Sequence, residues 1–387
     1  SGLVNIKAQL SDSDAMFKVD LGSLKQYDYP YPWLRDNCQC SECFHKGSQS
    51  RTLNWDEFDV HVKPVNFEVS SESQTILIRW NDGHISTYDI EWLKKRNFTK
   101  SNRERVLNTL YKQPKIHWGA SDFTNIFQKF QFQDVVNEDS ALLQWLSALS
   151  QYGVALIENA PITEKECRKL AEKINFMRRT HYGEEFEVRA RDFNTTSNVA
   201  YLSTPLQLHT DLPYYDHVPG TIFLHCLEQS SGHGGDNLLA DCFRAAEDLR
   251  HKNLNYYNRL CDTVVNWSDV GEEAGNKFHK IHRAPAICKD YDGEIVRINH
   301  SVPQRDSYFN IPLENVSEWY EAMHMFLKLV KKQTAKLKTK PGDILTIDNL
   351  RLVHGRTGYT DSKDNTRFLI GAYVDWDEIY SRIRVLQ

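Results

Sequence analysis

Five runs in the second half of the chain constrain its fold most: GTIFLHCLE (220–228), DNLLADCF (236–243), GEIVRINH (293–300), GDILTIDNL (342–350) and TRFLIGAYVDW (366–376). Each is short, rich in Ile, Leu, Val, Phe and Tyr, and bounded by Gly, Asp or Asn. Apolar runs of that length between turn residues read as strands covered on both faces. Several such strands after a few helices predict an α+β domain built on a double-sheet jelly roll, a double-stranded β-helix, with flanking helices. The helices come first. In EDSALLQWLSALSQYG (138–153), Leu142, Leu143, Leu146 and Leu149 fall at helical spacing and Gly153 ends the pattern. VALIEN follows as a strand, and Thr163 with Glu166 forms a capping box that opens a helix through about Phe176. A third helix is predicted near 314–335, with Trp319, Met323, Phe326, Leu327 and Val330 on its apolar face.

The first hundred residues have a different texture. QTILIRW (74–80) and HISTYDI (84–90) alternate apolar with polar around the turn WNDG, which predicts a small β-rich module. At 387 residues two domains are expected. The division predicted is 1–100 for the β-rich module, 101–135 for a polar linker and 136–387 for the jelly roll. A net charge of −5 without a basic block argues against nucleic acid as a partner. No uncharged apolar stretch reaches the roughly 18 residues needed to span a bilayer. The first twenty residues resemble neither a signal peptide nor an Arg-rich transit peptide, and no initiator Met precedes them, so a leader removed from the chain is compatible with what remains. The expected compartment is the cytoplasm, with the mitochondrion as the alternative.

LQLHTDLPYY (206–215) places His209 and Asp211 two residues apart, and in an extended strand such residues project from one face. A hydrogen-bonded pair in a half-buried sheet is the simple reading. A third candidate, His354 in KPGDILTIDNLRLVHGR, changes the balance. Two histidines and one carboxylate with open coordination positions form the facial triad of non-haem Fe(II) oxygenases, whose metal must also hold a co-substrate and O2. Thirteen residues beyond His354, Arg367 enters a strand, where a guanidinium needs an anion to bind. The distal carboxylate of 2-oxoglutarate is such an anion. The last constellation is CQCSEC, with Cys38, Cys40 and Cys43 in six residues. Three thiols this close, in a chain whose other cysteines stand apart, fit a closed tetrahedral zinc site with one histidine. Spacing leaves His45, His61 and His84 all open as the fourth ligand.

NVAYLSTPLQLHTDLP, VRINH, IDNLRLVHGR and GAYVDWDEIYSRIRVL, with YPYPWLRDNCQCSEC and WNDGH nearer the N-terminus, resemble the γ-butyrobetaine/trimethyllysine dioxygenase family of Fe(II)- and 2-oxoglutarate-dependent oxygenases. The resemblance runs over essentially the whole chain. It implies a small zinc-binding domain ahead of a jelly-roll oxygenase, with His209, Asp211 and His354 as catalytic iron ligands and Arg367 as the co-substrate arginine. It selects His84 as the fourth zinc ligand, in a structural role, since four protein ligands leave no open position. Asn237 sits where relatives place a Ser or Thr near the co-substrate. The implied substrate is a trimethylammonium compound held in an aromatic cage of Tyr182, Phe186, Tyr201 and Tyr373, because a quaternary cation is recognised through ring faces. Asn198 and Asn299 stand at the family's carboxylate-binding asparagines. An asparagine at the first position favours γ-butyrobetaine, and so its hydroxylation to L-carnitine in carnitine biosynthesis.

Three departures qualify that choice. Phe186 replaces the family's tryptophan, Leu212 replaces a carboxylate-binding tyrosine, and residues 189–197 are two longer than in the family. Trimethyllysine or another quaternary amine, such as a trimethylammonium phosphonate, is therefore the alternative substrate. A catalytically silent quaternary-amine-binding protein is the non-enzyme alternative. The family also suggests a homodimer.

Overall fold

The computed structural model describes residues 6–20, 26–190 and 198–387. The chain divides into two compact units, Ser1–Pro114 and Lys115–Gln387. In the first, β1 (Lys7–Ser11), β2 (Met16–Asp20) and β3 (Gln26–Pro30) form an antiparallel sheet. A short ladder of β4 (Phe44–His45) and β5 (Ser50–Arg51) follows. The second three-stranded sheet is β6 (Pro64–Ser70), β7 (Thr75–Trp80) and β8 (Ile85–Asp89). Alternation along β7 and β8 buries Ile76, Ile78, Trp80 and Tyr88 against Phe17, Val19 and Tyr29.

The second unit is a two-sheet jelly roll. Its larger sheet runs β11 (Glu185–Arg189), β22 (Phe368–Val374), β13 (Thr221–Glu228), β20 (Ile344–Asp348), β10 (Val154–Glu158) and β9 (Lys129–Gln131). The smaller sheet runs β12 (Leu206–His209), β21 (Leu352–Arg356), β14 (Asn237–Asp241) and β19 (Ala335–Leu337). Two hairpins complete it: β15 (Val264–Glu273) with β16 (Asn276–Pro285), and β17 (Ile287–Lys289) with β18 (Ile295–Ile298). Leu156, Leu345 and Ile347 of the larger sheet share a core with Leu239, Ala335 and Leu352 of the smaller. Strand alternation therefore turns Leu352, His354 and Arg356 of β21 toward the space between the sheets.

Helices cover the outer faces. Asp139–Tyr152 and Trp376–Leu386 pack on the larger sheet with Phe223, Ala372 and Val374, and Leu313–Lys332 covers the smaller one. Gly153 ends the first of these at φ +76, where a Cβ would lie 2.5 Å from Leu352 Cδ1. Two local expectations shift. The Thr163 hydroxyl donates to the Glu166 carboxylate at 2.5 Å instead of capping backbone, and the helix runs only Glu166–Ile174. The DNLLADCF run stops being strand at Asp241, whose side chain accepts from the Phe243 amide and starts the helix Cys242–Lys252.

His225 on β13 is fully buried, and neither ring nitrogen has a partner. Burial pushes it down to about 4 from an ordinary 6.5, and His181 and His300 are lowered similarly. Between those values the unfolded chain binds more protons than the folded one, so stability falls as pH drops from about 6.5 toward 4. His225→Leu should flatten this loss without abolishing it, since the other two histidines titrate in the same window. Denaturant midpoints at pH 7 and pH 5 measure it; equal losses in variant and wild type would clear His225 of the effect.

Candidate active site

β12 and β21 pair so that His209 faces His354 directly, with ring centroids 4.4 Å apart. Asp211 follows at the end of β12, and its Oδ1 lies 3.1 Å from His209 Nε2 and 3.4 Å from His354 Nε2. One ligand atom from each residue lies within 4.8 Å of the others. His209 Nδ1 donates to the Gln207 carbonyl at 2.8 Å, which fixes the tautomer and leaves the Nε2 lone pair free for a metal. Burial would raise the Asp211 carboxyl, but His354 and His209 hold it well below the usual carboxylate range. Two imidazole nitrogens and a carboxylate oxygen converging on one point suit a divalent metal of the iron class.

Asn349 sets the backbone of this cluster. It accepts from the Asp211 amide at 2.7 Å and donates to the Asp211 carbonyl at 3.0 Å, so the IDNL turn before β21 brackets the carboxylate bearer. Tyr373 on β22 donates to Asp211 Oδ2 at 2.7 Å. The carboxylate thus turns one oxygen to the histidines and the other to a phenol, which burial and Asp211 itself keep protonated. Sequence reasoning passed over Asn349, although it lies in a motif read for other reasons.

Arg367 stands just before β22, 4% exposed, with Nη2 3.4 Å from Asn237 Oδ1 and an Nε without a partner. Burial lowers its pKa to about 10, and the charge of Arg356 adds to the shift. Asn237 also donates to Thr339 Oγ1 at 3.3 Å. Arg356, the second guanidinium, was not anticipated. The HGR sequence held the signal, since His354 and Arg356 are two residues apart on one strand.

One cavity is lined by His209 and Asp211 together with Tyr182, Phe186, Tyr201 and Tyr373. Phe186 and Tyr373 stack with centroids 5.1 Å apart, and Tyr182 lies 6.4 Å from Phe186. Phe186 pairs across the sheet with Gly371, where a Cβ would come within 2.3 Å of its ring, so the missing side chain makes room for the aromatic wall. Asn198 and Leu212 also line the cavity. Asn198 Nδ2 donates to Tyr182 Oη at 3.0 Å. Leu212 adopts φ +56, a left-handed conformation that costs a non-glycine residue about 1–3 kcal/mol. Asn299 is buried outside the lining, donating to the Pro285 carbonyl at 2.8 Å, and its Oδ1 has no partner. Residues 191–197, most of the longer loop before Asn198, lie outside the described residues.

In the N-terminal unit, Cys38, Cys40 and Cys43 place their sulfurs 3.3, 3.5 and 3.5 Å from His84 Nε2. His45 instead meets Ser48 Oγ at 2.7 Å on the surface. Burial pushes the Cys38 thiol up to about 12, a cost that a bound cation removes by holding the thiolate. Arg35 donates to Cys43 Sγ at 3.5 Å and to Asp82 at 2.9 Å, and Asp82 accepts from the His84 amide. Three sulfurs and one nitrogen in this arrangement suit tetrahedral zinc.

Two outcomes are expected. Tyr373→Phe keeps the aromatic wall but removes the donor to Asp211, so Fe(II) affinity or turnover should fall by about 10–100-fold. Titration of Fe(II) against activity checks this, and a wild-type curve would separate Tyr373 from the metal. Cys40→Ser should lose zinc and lower the melting temperature of the N-terminal unit. Elemental analysis finding equal zinc in both proteins would dismiss the assignment.

Residues 111–373 match the family described as taurine catabolism dioxygenase TauD, TfdA family, and residues 8–94 match the gamma-butyrobetaine hydroxylase-like N-terminal family. The chain is 33% identical to gamma-butyrobetaine dioxygenase of Homo sapiens, covering 98% of this chain and 97% of the relative. It is 29% identical to the mitochondrial trimethyllysine dioxygenase of Bos taurus, covering 92% and 82% respectively. With a family match over most of its length and a relative above 30% identity end to end, the chain belongs to the TauD/TfdA family of Fe(II)- and 2-oxoglutarate-dependent dioxygenases, in its γ-butyrobetaine and trimethyllysine dioxygenase branch.

Proposed function

We propose that the chain hydroxylates a trimethylammonium compound, with γ-butyrobetaine, giving L-carnitine, as the first candidate. The observation that carries this reading is a single cavity lined by Tyr182, Phe186, Tyr201 and Tyr373 together with His209 and Asp211. A methylated ammonium cannot donate a hydrogen bond, so ring faces are what would hold it.

His209, Asp211 and His354 would hold Fe(II), Arg367 with Asn237 would hold the distal carboxylate of 2-oxoglutarate, and Cys38, Cys40, Cys43 and His84 would hold structural zinc. Bound Fe(II) supplies the site at which 2-oxoglutarate and O2 react, converting the oxo acid to succinate and CO2. The chain's own contribution is positional. The Gln207 carbonyl orients His209, Tyr373 orients Asp211, and the cage directs one C–H bond toward the metal while excluding water. Tyr373 takes part in both tasks.

The residues expected to meet the substrate carboxylate support a second reading. Leu212 brings no donor, and Asn299 is turned to the Pro285 carbonyl. Both features favour a trimethylammonium substrate whose other end differs from that of γ-butyrobetaine, such as trimethyllysine or a phosphonate. Succinate formation in the presence of each of the three compounds, with hydroxylated product identified by mass spectrometry, decides among them. No coupled turnover with any would remove the proposal.

Restoring the family residues should move the enzyme toward γ-butyrobetaine. Phe186→Trp strengthens a cation–π contact worth roughly 0.5–2 kcal/mol, and the space above Gly371 is where the larger ring must fit. Leu212→Tyr adds a hydrogen bond to a carboxylate worth roughly 1.5–3 kcal/mol. The double variant should gain about one to three decades in kcat/KM for γ-butyrobetaine. No gain would show that these two positions only pack.

A further inference from the structure

Two guanidinium groups share the interior beside Asn237, where one suffices to grip a carboxylate. Arg356 pairs with Asn237 across β21 and β14, and Arg367 reaches the same Asn237 side chain. Both are 4% exposed, and each keeps an Nε without a partner. Among the described residues no acidic side chain neutralises either one. Two desolvated like charges are costly without an anion between or beside them.

Arg356 has a second attachment. Its Nη2 donates to the carbonyls of Leu202 at 2.5 Å and Thr204 at 2.7 Å, and Tyr359, whose ring lies 5.0 Å from the Arg356 guanidinium, donates its amide to the Ser203 carbonyl. Three successive carbonyls are thus tied to Arg356 at the end of β21 and to Tyr359 just beyond it. Gly355 and Gly358 allow the approach: a Cβ on the first would come within 2.7 Å of the Leu206 carbonyl oxygen, and one on the second within 3.0 Å of Pro205. Leu202 and Thr204 line the substrate cavity.

We propose that Arg356 is a positioning residue through which the co-substrate site secures the 202–206 segment of the substrate pocket. Without an anion, Arg356 and Arg367 repel one another, and the hold on the carbonyls weakens. A dicarboxylate beside Arg367 removes that repulsion and lets Arg356 keep the segment in place. Linkage makes the effect reciprocal: whatever tightens the segment also tightens the co-substrate. The inference rests on the reading of Arg367 as the 2-oxoglutarate arginine.

Hydrogen–deuterium exchange of the full chain under argon, with Fe(II) and with or without 2-oxoglutarate, tests it without needing the second substrate. In the wild type, 2-oxoglutarate should slow exchange of peptides covering 200–208 at least threefold. Arg356→Gln should lose that protection, and Arg356→Lys, whose single ammonium cannot span two carbonyls as a planar fork does, should retain only part of it. The inference is overturned if 2-oxoglutarate binds the wild type without protecting the segment, or if Arg356→Gln keeps full protection. Should the glutamine variant not fold, full protection in the lysine variant overturns it equally. A wild type that neither binds 2-oxoglutarate nor forms succinate would bring down the underlying reading, and this inference with it.

Discussion

The active site depends on an ion pair that never meets solvent. Arg351 and Asp241 are both 0% exposed and join through two contacts, Nε to Oδ1 at 3.0 Å and Nη2 to Oδ2 at 2.7 Å. Two further guanidinium hydrogens go to the carbonyls of Gln151 and Ile116, and the carboxylate also accepts from the amides of Trp118 and Phe243. A buried pair of this kind is tolerable only when every lone pair and proton is used, and removing one member leaves a stranded charge at about 3–5 kcal/mol. Its location gives it wider consequence. Arg351 sits two residues after Asn349, which brackets Asp211, and three before His354. Asp241 ends β14, the strand that carries Asn237. The pair therefore ties the turn that precedes His354 to the end of the strand that carries Asn237.

Much of this was legible in the sequence because the relevant information was local or periodic. His209 and Asp211 share a face by the strand repeat, and Gly153 marks a helix end by its freedom of backbone. The CQCSEC spacing declares a thiol cluster but leaves His45, His61 and His84 open; the family resemblance chose His84, and it is His84 whose Nε2 lies beside the three sulfurs. What escaped notice is of another kind. Asn349 acts on a residue 138 positions earlier, and Tyr373 on one 162 positions earlier. Neither partnership leaves any mark on the residues adjacent to it. The helices Cys242–Lys252 and Leu254–Asp262 were hidden behind an apolar strand run in which Asp241 turns out to cap the first helix and to partner the arginine at once, while Asn253 caps the second.

The substrate pocket combines rigid and adaptable parts. At one part of its lining, His209 is held by the Gln207 carbonyl and Asp211 by the Tyr373 hydroxyl. The opposite wall is built on β11, an edge strand of the larger sheet, and on a 3-10 turn at Val199–Tyr201 that Asn198 caps through the Ala200 amide. Phe186 lies on β11 in this wall, and Leu212, also in the lining, carries a left-handed backbone that marks a position under strain.

The aromatic positions are consequently unequal in what change they can absorb. Phe186 leans over a glycine at a sheet margin and stacks on Tyr373, so a change in its size acts through packing alone. Tyr373 is wired by its hydroxyl to the Asp211 carboxylate, so a change there disturbs that carboxylate as well as the wall. Diversification of substrate in chains of this architecture should therefore leave its record at the margin, with the hydroxyl-bearing wall passed on unaltered.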